Sequence, residues 1–445
     1  MRIGIATPVI QRGQTGIAQY VFALTRVLAA QVREHDFTLF VLEDDLPLFD
    51  FAKTTMQLRS VAERFRPPVK NIFWHQTELP RLARALELDV LHVPSYRRML
   101  WPRPCALVAT IHDLAPFRVK HKYDWKRMLY GRLIVPRLAR RQHEIIAVSQ
   151  QTARDIATCL RLPAGRVTVI HNGLDHERFF PGARAQARSA AAERFDLRQP
   201  FFLYVARLEH PAKNHVRLIE AFNRFKAETK LPWQLALGGS DWHGAEAIHD
   251  AIRQSPFGQD IRSLGFVADA DLPGLYRAAE VFVYPSLYEG FGLPPIEAMA
   301  CGCPVLCSTR GALGEVVGDA AATVEPEDIA GMKWQLVRLA GDPGLREQLR
   351  LAGLARAEGF DWSQTAAATV EVYSRAAIKS KTSAAVFSGE SELAGDEKHA
   401  DPLHGCSPRG PFVLREQNRG LRSRDKKVIT HLSPGSRRYE IGPFT

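Results

Sequence analysis

Short β-rich runs alternate with helical stretches along this chain, and the alternation starts a second time after a polar stretch at residues 175–194. The predicted strands of the first half lie at 2–6, 37–42, 89–93, 106–111, 144–148 and 167–170. Those of the second half lie at 201–206, 233–237, 262–266, 280–284, 304–307 and 321–324. Strands that alternate with helices build parallel sheets. The sequence therefore predicts an α/β protein with two parallel-sheet domains and a ligand cleft between them, and 445 residues are enough for both.

The two halves give predicted domain bounds of 1–175 and 176–360. Helices are predicted at 17–32, 123–141 and 150–159 in the first half, and a last helix is predicted at 361–378. From 379 to 445 the chain is rich in Ser, Gly, Pro and charge, without a sustained apolar period. This composition predicts a disordered extension.

The net charge of +11 comes almost entirely from one segment. Between Arg97 and Arg141 there are twelve lysines and arginines but two acidic residues. Apolar side chains are interleaved with these cations over 123–141, which is typical of a helix on an anionic membrane surface. A solvated helix face would show the same pattern. We expect no nucleic-acid partner, because no recognition helix, zinc finger or aromatic RNA-binding signature accompanies the charge.

Several features favour a cytoplasmic location. No window holds 18 uninterrupted apolar residues, and the first residues resemble a buried strand rather than a charged and then apolar leader. The six cysteines lack paired disulfide-like spacing, which fits a reducing compartment. Cys301, Cys303 and Cys307 lie in an apolar stretch and are interpreted as buried small side chains rather than metal ligands. If the basic segment binds lipid, the protein would be peripheral on the inner face of the cytoplasmic membrane.

The strongest local signal is the run PSLYEGFGLPPIEAMACGCPV at 285–305. A buried strand leads into a glycine-bearing loop, and a helix begins at prolines, which the first turn of a helix tolerates. The unpaired N–H groups at this helix start attract phosphate. Glu289 lies in the loop and Glu297 in the helix, so both carboxylates can face one ligand and accept hydrogen bonds from sugar or ribose hydroxyls.

This run resembles the Glu-x7-Glu signature of the retaining glycosyltransferases of family 4. Five further elements resemble that family in the same order along the chain. They are GQTGIAQY at 13–20, TIHDL at 110–114, HNGLD at 171–175, FFLYVAR at 201–207 with Lys213 and Asn214 after it, and LGFV at 264–267. The resemblance covers about residues 1–378. It implies the GT-B fold, in which two Rossmann-like domains face each other across a cleft and a C-terminal helix packs back on the first domain.

The resemblance also implies a role for each matching residue. Arg207 and Lys213 would bind the diphosphate of a nucleotide-sugar donor. Glu289 would hold the donor sugar and Glu297 the ribose, and His112 would face the transferred sugar, so that His112 and Glu289 are the expected catalytic residues. The other donor-binding residues that it implies are Gly16, Val267, Gly290, Phe291, Gly292 and Leu293. Ala212 stands where many relatives have a second cation, which would leave more of the diphosphate affinity to Arg207.

We expect neither a metal nor a cofactor. The leaving diphosphate develops negative charge, which Arg207, Lys213 and the helix start can neutralise. The single Asp-x-Asp pair, formed by Asp269 and Asp271, precedes a predicted helix. We interpret it as an N-cap with a first-turn acid rather than as a metal site.

Together these features predict a retaining, metal-independent glycosyltransferase. It would move a hexose from GDP-mannose or a UDP-hexose to a saccharide or lipid-linked saccharide in cell-surface polysaccharide synthesis, by a front-face displacement in which the leaving diphosphate helps to deprotonate the acceptor hydroxyl. The overall likeness leans towards polysaccharide mannosyltransferases. A nicotinamide-dependent oxidoreductase does not fit, because residues 11–16 lack the Gly-x-Gly-x-x-Gly spacing. A GT-B sugar-nucleotide epimerase and a basic, non-catalytic surface-binding protein remain alternatives.

Overall fold

Two parallel sheets organise the chain in the computed structural model, which describes residues 1–13, 15–118 and 125–393. The first sheet contains β1 (Arg2–Ala6), β2 (Asp36–Leu42), β3 (Gln57–Val61), β4 (Val90–Val93), β5 (Ala106–Ile111), β6 (Glu144–Ala147) and β7 (Val167–Val169). The second contains β8 (Phe201–Val205), β9 (Gln234–Gly238), β10 (Ile261–Gly265), β11 (Val281–Tyr284), β12 (Val305–Ser308) and β13 (Ala322–Val324). The predicted pair of parallel-sheet α/β domains is confirmed. We call the part around β1–β7 the first lobe and the part around β8–β13 the second lobe.

Helices connect the strands and cover the sheets. In the first lobe they are α1 (Gly16–Gln31), α2 (Pro68–Gln76), α3 (Glu78–Ala85), α4 (Ala115–Arg118), α5 (Trp125–Leu133), α6 (Val135–Arg141) and α7 (Gln150–Asp155). In the second lobe they are α8 (Arg184–Phe195), α9 (His215–Thr229), α10 (Ala245–Arg253), α11 (Leu272–Ala278), α12 (Leu293–Ala300), α13 (Leu313–Val317), α14 (Ile329–Gly341) and α15 (Pro343–Ala357). The last helix is α16 (Trp362–Leu393). No helix in these described ranges is long and apolar enough to cross a membrane.

The strand order places a crevice in each sheet. It runs β3-β2-β1-β4-β5-β6-β7 in the first sheet and β10-β9-β8-β11-β12-β13 in the second. The order therefore reverses between β1 and β4 and again between β8 and β11. Ligands of open parallel sheets bind outside the carboxyl ends of strands at such a reversal. Arg207 follows β8 and Glu289 follows β11, so the sheet order alone places both at the crevice of the second lobe.

Helix α16 follows the second lobe in sequence but packs on the first. Trp362, Ala366 and Tyr373 share one apolar core with first-lobe residues. The Tyr373 hydroxyl also lies 2.8 Å from Nδ1 of His92 in β4. The chain thus crosses from the second lobe to the first after residue 360. Helix α16 then adds buried side chains to the core of the first lobe.

The structure differs from the sequence prediction at three elements. The helix predicted at 123–141 is two helices in the structure. Pro136 has no N–H to continue the hydrogen bonding of α5, and it lies in the first turn of α6 instead. Residues 119–124 lie outside the described part. Strand β3 was not predicted, since its edge position leaves most of its side chains exposed and removes the apolar signal. The last helix does not end at 378: residues 379–388 contain neither proline nor glycine, and α16 continues to Leu393. The disorder predicted for 394–445 lies outside the described residues, and the exact domain bounds stay predictions.

Candidate active site

The loop between β11 and α12 carries the first glutamate of the site. Its end is shaped by Gly292, which adopts a φ of +103° immediately before α12 and comes so close to Leu313 that a Cβ would lie 2.5 Å from a methyl carbon. Only glycine accommodates both conditions. The first turn of α12 contains Pro294 and Pro295, and its positive end opens towards the same crevice edge as Glu289. The predicted helix start is thus confirmed in position.

Glu289 forms an ion pair with Lys213, the lysine predicted to bind the diphosphate of the donor. The Nζ of Lys213 lies 2.5 Å from Oε1 of Glu289, and both side chains are mostly buried. The hydroxyl of Tyr284, the last residue of β11, donates to the same Oε1 at 3.1 Å. The carboxylate therefore receives a charged donor from the loop before α9 and a neutral donor from the end of β11.

The charge of Lys213 is maintained by this arrangement. Burial by itself would lower the pKa of the ammonium group, but the negative charge of Glu289, with a contribution from Tyr204, outweighs burial and raises the pKa above its ordinary value. A lysine that stays charged inside a crevice can bind a phosphate once one arrives. The segment that carries Lys213 is joined to the glutamate loop, since the N–H of Leu287 donates to the carbonyl of Ala212 at 3.0 Å.

Glu297 lies one helix turn into α12 and is held by a different tyrosine. The hydroxyl of Tyr276 in α11 donates to Oε2 of Glu297 at 3.0 Å. Burial raises the pKa of this carboxyl to about 7, while the hydrogen bond from Tyr276 and the charge of Arg178 act in the opposite direction. Arg178 and Asp269, whose charges both act on Glu297, line an open depression of about 530 Å³ together with the first turn of α11.

Arg207 follows β8 at the same edge and is about half exposed. Its guanidinium lies 3.3 Å from the carboxylate of Glu209 and 4.7 Å from the ring centre of Trp242. A carboxylate on one side and an aromatic face on the other fix the direction of the planar group. Ala212 is buried, so the position of a possible second cation is part of the packing in this chain.

Gly290 joins the glutamate loop to the first lobe. A Cβ on this residue would lie 1.8 Å from the carbonyl oxygen of His112, so the two backbones are in direct contact. The carbonyl oxygen of Gly290 in turn accepts a hydrogen bond from the Ser149 hydroxyl at 2.8 Å. The structure thus brings His112 of one lobe next to the residue that follows Glu289 in the other.

His112 is held in its uncharged form. Burial lowers the pKa of its imidazole to about 4, although Asp113 opposes the shift. The ring of Tyr20 packs edge-on against it at 4.7 Å. Its Nε2 is buried and has no hydrogen-bond partner among the described residues. Asp113 accepts from the N–H of Ala115 at 2.9 Å, so it caps the following turn.

The other predicted donor-binding residues fall at three places. Gly16 begins α1, one turn before Tyr20, with no atom within 4 Å of where a Cβ would be. Val267 lies just beyond β10, and a Cβ on its neighbour Gly238 would come within 3.0 Å of it. Phe291 buries its ring between His171 and Phe360, so a ligand would meet its backbone. Gly292 and Leu293 form the start of α12.

The Asp-x-Asp pair is occupied by arginines. Asp269 lies 3.4 Å from Arg178, and Asp271 pairs with Arg194. Asp271 is the N-cap residue of α11, as predicted for this pair, although its side chain makes no capping hydrogen bond; the predicted acid in the first turn is wrong, because that turn contains none. Within the described ranges, no three His, Cys, Asp or Glu side chains converge in a group that could hold a metal ion.

Four residues of the site were missed by the sequence analysis: Tyr276, Tyr284, Glu209 and Trp242. The two tyrosines lie in apolar runs where core packing explains an aromatic residue equally well. Their hydroxyl partners are distant in sequence, and no spacing rule connects them. Glu209 could have been found, because it lies two residues after a predicted anion-binding arginine.

Comparison with known proteins gives the same classification in both lobes. The family model "Glycosyltransferase Family 4" matches residues 14–178, and "Glycosyl transferases group 1" matches residues 186–355. The O-antigen chain mannosyltransferase B of Escherichia coli is 30% identical over 382 residues, which cover 84% of this chain and 99% of that protein.

Solved structures show the same fold at lower identity. A sucrose-phosphate synthase from Thermosynechococcus elongatus superimposes with a TM-score of 0.68 at 21% identity, covering 84% of this chain and 98% of that one. Anabaena HepE in complex with UDP-glucose has a TM-score of 0.67 at 18% identity, with 84% and 99% covered. A non-catalytic surface-binding protein does not fit these matches. The chain is an enzyme with the GT-B fold and belongs to the family 4 glycosyltransferases.

Proposed function

We propose that the enzyme transfers mannose from GDP-mannose to a saccharide acceptor of a cell-surface polysaccharide, with retention at the anomeric carbon. The Escherichia coli relative, matched over almost its whole length, is named as an O-antigen chain mannosyltransferase. A UDP-hexose is the second candidate donor, since HepE holds UDP-glucose in a similar fold.

One observation carries the proposal: a buried lysine and glutamate meet 2.5 Å apart at the crevice edge, next to the backbone contact with His112. A donor placed there would have its diphosphate near Lys213, Arg207 and the start of α12. Its sugar would lie between Glu289 and His112. Both ends of the bond to be broken would then face groups suited to them.

In the proposed step, the bond between the anomeric carbon and the diphosphate oxygen breaks while the acceptor oxygen bonds to the same face of that carbon. The acceptor proton passes to the leaving diphosphate. Lys213, Arg207 and the N–H groups of α12 stabilise the charge that develops, and no metal is required. Neutral His112 hydrogen-bonds the sugar, and Glu289 accepts from its hydroxyls.

The test is transfer of radiolabel from GDP-mannose, UDP-glucose or UDP-galactose to a lipid-linked acceptor. We expect label in the acceptor with GDP-mannose, an α-linked product by NMR, and the same rate with and without EDTA. Label recovered in an epimerised nucleotide sugar, with none in the acceptor, would favour the epimerase alternative. A rate that requires added Mg²⁺ would contradict the metal-independent step.

Two volume-preserving variants test the site. Glu289→Gln and Lys213→Met should each lower kcat by about 100-fold or more, because each removes charge from the reacting centre. The matched controls are Glu228→Gln and Lys333→Met, which break a surface ion pair of 2.7 Å in the same lobe. If all four variants retain wild-type turnover and the native circular dichroism spectrum, the site assignment is wrong.

We further propose that the first lobe contacts an anionic inner-leaflet surface. Trp101, Leu129 and Leu133 each expose about half of their surface among the cations of the 97–141 segment. Arginine over an exposed aromatic ring, as Arg141 lies over Trp101 at 5.4 Å, suits the interface between lipid headgroups and acyl chains.

Vesicle flotation tests this contact. The double variant Arg132→Glu/Arg137→Glu should bind vesicles rich in phosphatidylglycerol at least roughly thirtyfold more weakly, at about 1 kcal/mol per cation lost. Turnover of a short water-soluble acceptor should be unchanged. The control Arg224→Glu/Arg338→Glu makes the same charge change on the second lobe. Equal binding of both double variants would contradict a membrane contact through the first lobe.

A further inference from the structure

Each glutamate of the Glu-x7-Glu motif accepts a hydrogen bond from a buried tyrosine. Tyr284 donates to Glu289 at 3.1 Å and Tyr276 donates to Glu297 at 3.0 Å. Neither tyrosine belongs to the motif itself. They come from two different elements of the second lobe, strand β11 and helix α11, so the chain builds the same contact twice by independent routes.

Tyr284 is fixed on every side except at its hydroxyl. Its ring stacks on Phe282 at 5.8 Å and meets Tyr204 edge-on at 5.5 Å, and 3% of its surface is exposed. The hydroxyl reaches Glu289 Oε1 and lies 3.4 Å from the Nζ of Lys213. A packed ring cannot change rotamer, so the position of this hydroxyl is set by the core rather than by the ligand.

Tyr276 is anchored in the same way. It is fully buried, and its ring meets Phe282 edge-on at 5.2 Å and Phe179 at 6.1 Å. The ring of Phe282 thus packs against both tyrosines. A single apolar residue therefore connects the two rings that hold the two carboxylates.

We propose that Tyr284 and Tyr276 are positioning residues that aim Glu289 at the donor sugar and Glu297 at the donor ribose. This inference rests on the donor site proposed above. The ion pair with Lys213 cannot fix the direction of the Glu289 carboxylate, because in the proposed site Lys213 also binds the diphosphate of the donor. A tyrosine hydroxyl has no such second task and donates one hydrogen bond in a fixed direction.

The first test is Tyr284→Phe, which keeps the ring and removes the hydroxyl. We expect kcat to fall roughly ten- to hundredfold, the range of one hydrogen bond to a charged group, with the donor KM changed less than about threefold. An unchanged kcat would overturn the role of Tyr284. If the hydroxyl only stabilised the fold, its loss would lower the melting temperature but would not lower kcat at a nearly unchanged donor KM.

The second test is Tyr276→Phe, read through the pH profile. The groups that face Glu297 are Tyr276 from α11, Tyr284 from β11, Cys301 from α12, Asp175 and Arg178 from the segment before α8, and Asp269 from the segment after β10. The Tyr276 hydrogen bond lowers the pKa of Glu297, so its loss should raise that pKa above about 7. Because ionised Glu297 binds the ribose, the acidic limb of kcat/KM should move to higher pH and the donor KM should rise.

Two further variants separate the possible failures. Tyr373→Phe removes an equally buried hydroxyl that bonds His92 in the first lobe, and it should change neither the division between kcat and KM nor the acidic limb. Glu289→Gln and Glu297→Gln test the donor site itself. If the glutamine variants are inactive but both phenylalanine variants behave like wild type, the tyrosine inference fails and the site stands. If the glutamine variants are fully active, the site fails as well.

Discussion

At Gly290 the two lobes meet through main-chain atoms. The residue stands between Glu289 and Phe291, and the space that a side chain would need is filled by the His112 carbonyl. A glycine at this position has a steric cause, since its φ is not in the left-handed region. In the donor site proposed above, this close approach would let Glu289 and His112 bind the same sugar from different lobes.

We predict that Gly290→Ala forces the lobes apart. A Cβ 1.8 Å from a carbonyl oxygen requires a backbone shift, and a shift of about 1 Å at a reacting centre costs about 100-fold in rate. The transfer rate should fall by that order while the second lobe still binds nucleotide in isothermal titration. Gly341→Ala is the control, because its Cβ would meet nothing within 4 Å. Wild-type transfer by Gly290→Ala would contradict the described contact.

The sequence predicted the residues of the site better than their partners. The sequence was enough to predict the spacing of Glu289 and Glu297 and the helix start between them, because these are local features. The family resemblance assigned Glu289 to the donor sugar and Lys213 to the diphosphate, but it predicted no direct contact between them. In the structure their charged atoms lie 2.5 Å apart. The tyrosine donors could not be predicted, because a buried hydroxyl looks like ordinary core until its partner is known.

Among the elements, α7 of the first lobe is capped by a residue of the second. The carboxylate of Glu315 in α13 accepts from the N–H groups of Gln150 and Gln151 at 2.8 and 3.1 Å, and Nε2 of His171 lies 2.8 Å from it. Burial alone would raise the pKa of Glu315, but these contacts outweigh it and hold the pKa below its ordinary value. A negative charge at a helix start also favours the helix dipole.

We predict that Glu315→Gln destabilises the protein by about 1–2 kcal/mol at pH 7. Since the folded pKa of Glu315 is lowered, its contribution is present above the unfolded pKa and is lost as the pH falls through the folded pKa. The difference from wild type in urea unfolding should therefore shrink on acidification. Glu347→Gln, which breaks an exposed pair with Arg350 within one helix, should leave the unfolding midpoint unchanged. A Glu315 effect that is constant with pH would contradict this account.

The ends of strands and helices were predictable where local sequence determines them. Strand ends in both halves agree within about one residue, because apolar runs end where the sheet ends. The single helix predicted over 123–141 failed at Pro136, whose ring and missing N–H separate α5 from α6. The end of α16 failed for the opposite reason. Loss of the apolar period was taken as loss of the helix, whereas a helix can continue without a buried face.

At the scale of the whole molecule, the repeated strand and helix pattern was enough to predict two parallel sheets. The pattern could not predict which residues of the two lobes contact each other. The cap at Glu315, the Gly290 contact and the docking of α16 join residues more than 100 positions apart, and such pairs leave no periodicity in the sequence. The same pattern predicted a cleft between the two domains, and the structure shows the contacts that join the lobes across it.

The meeting of Gly290 with His112 bears on how the enzyme treats water. Sugar nucleotides are reactive, and a molecule of solvent is a smaller and more abundant acceptor than any glycan. In the proposed donor site, a donor held by an enzyme whose lobes have separated would still meet Glu289 but would lose its contact with His112. Loss of this contact should therefore slow hydrolysis of the bound donor by water as well as transfer to a glycan.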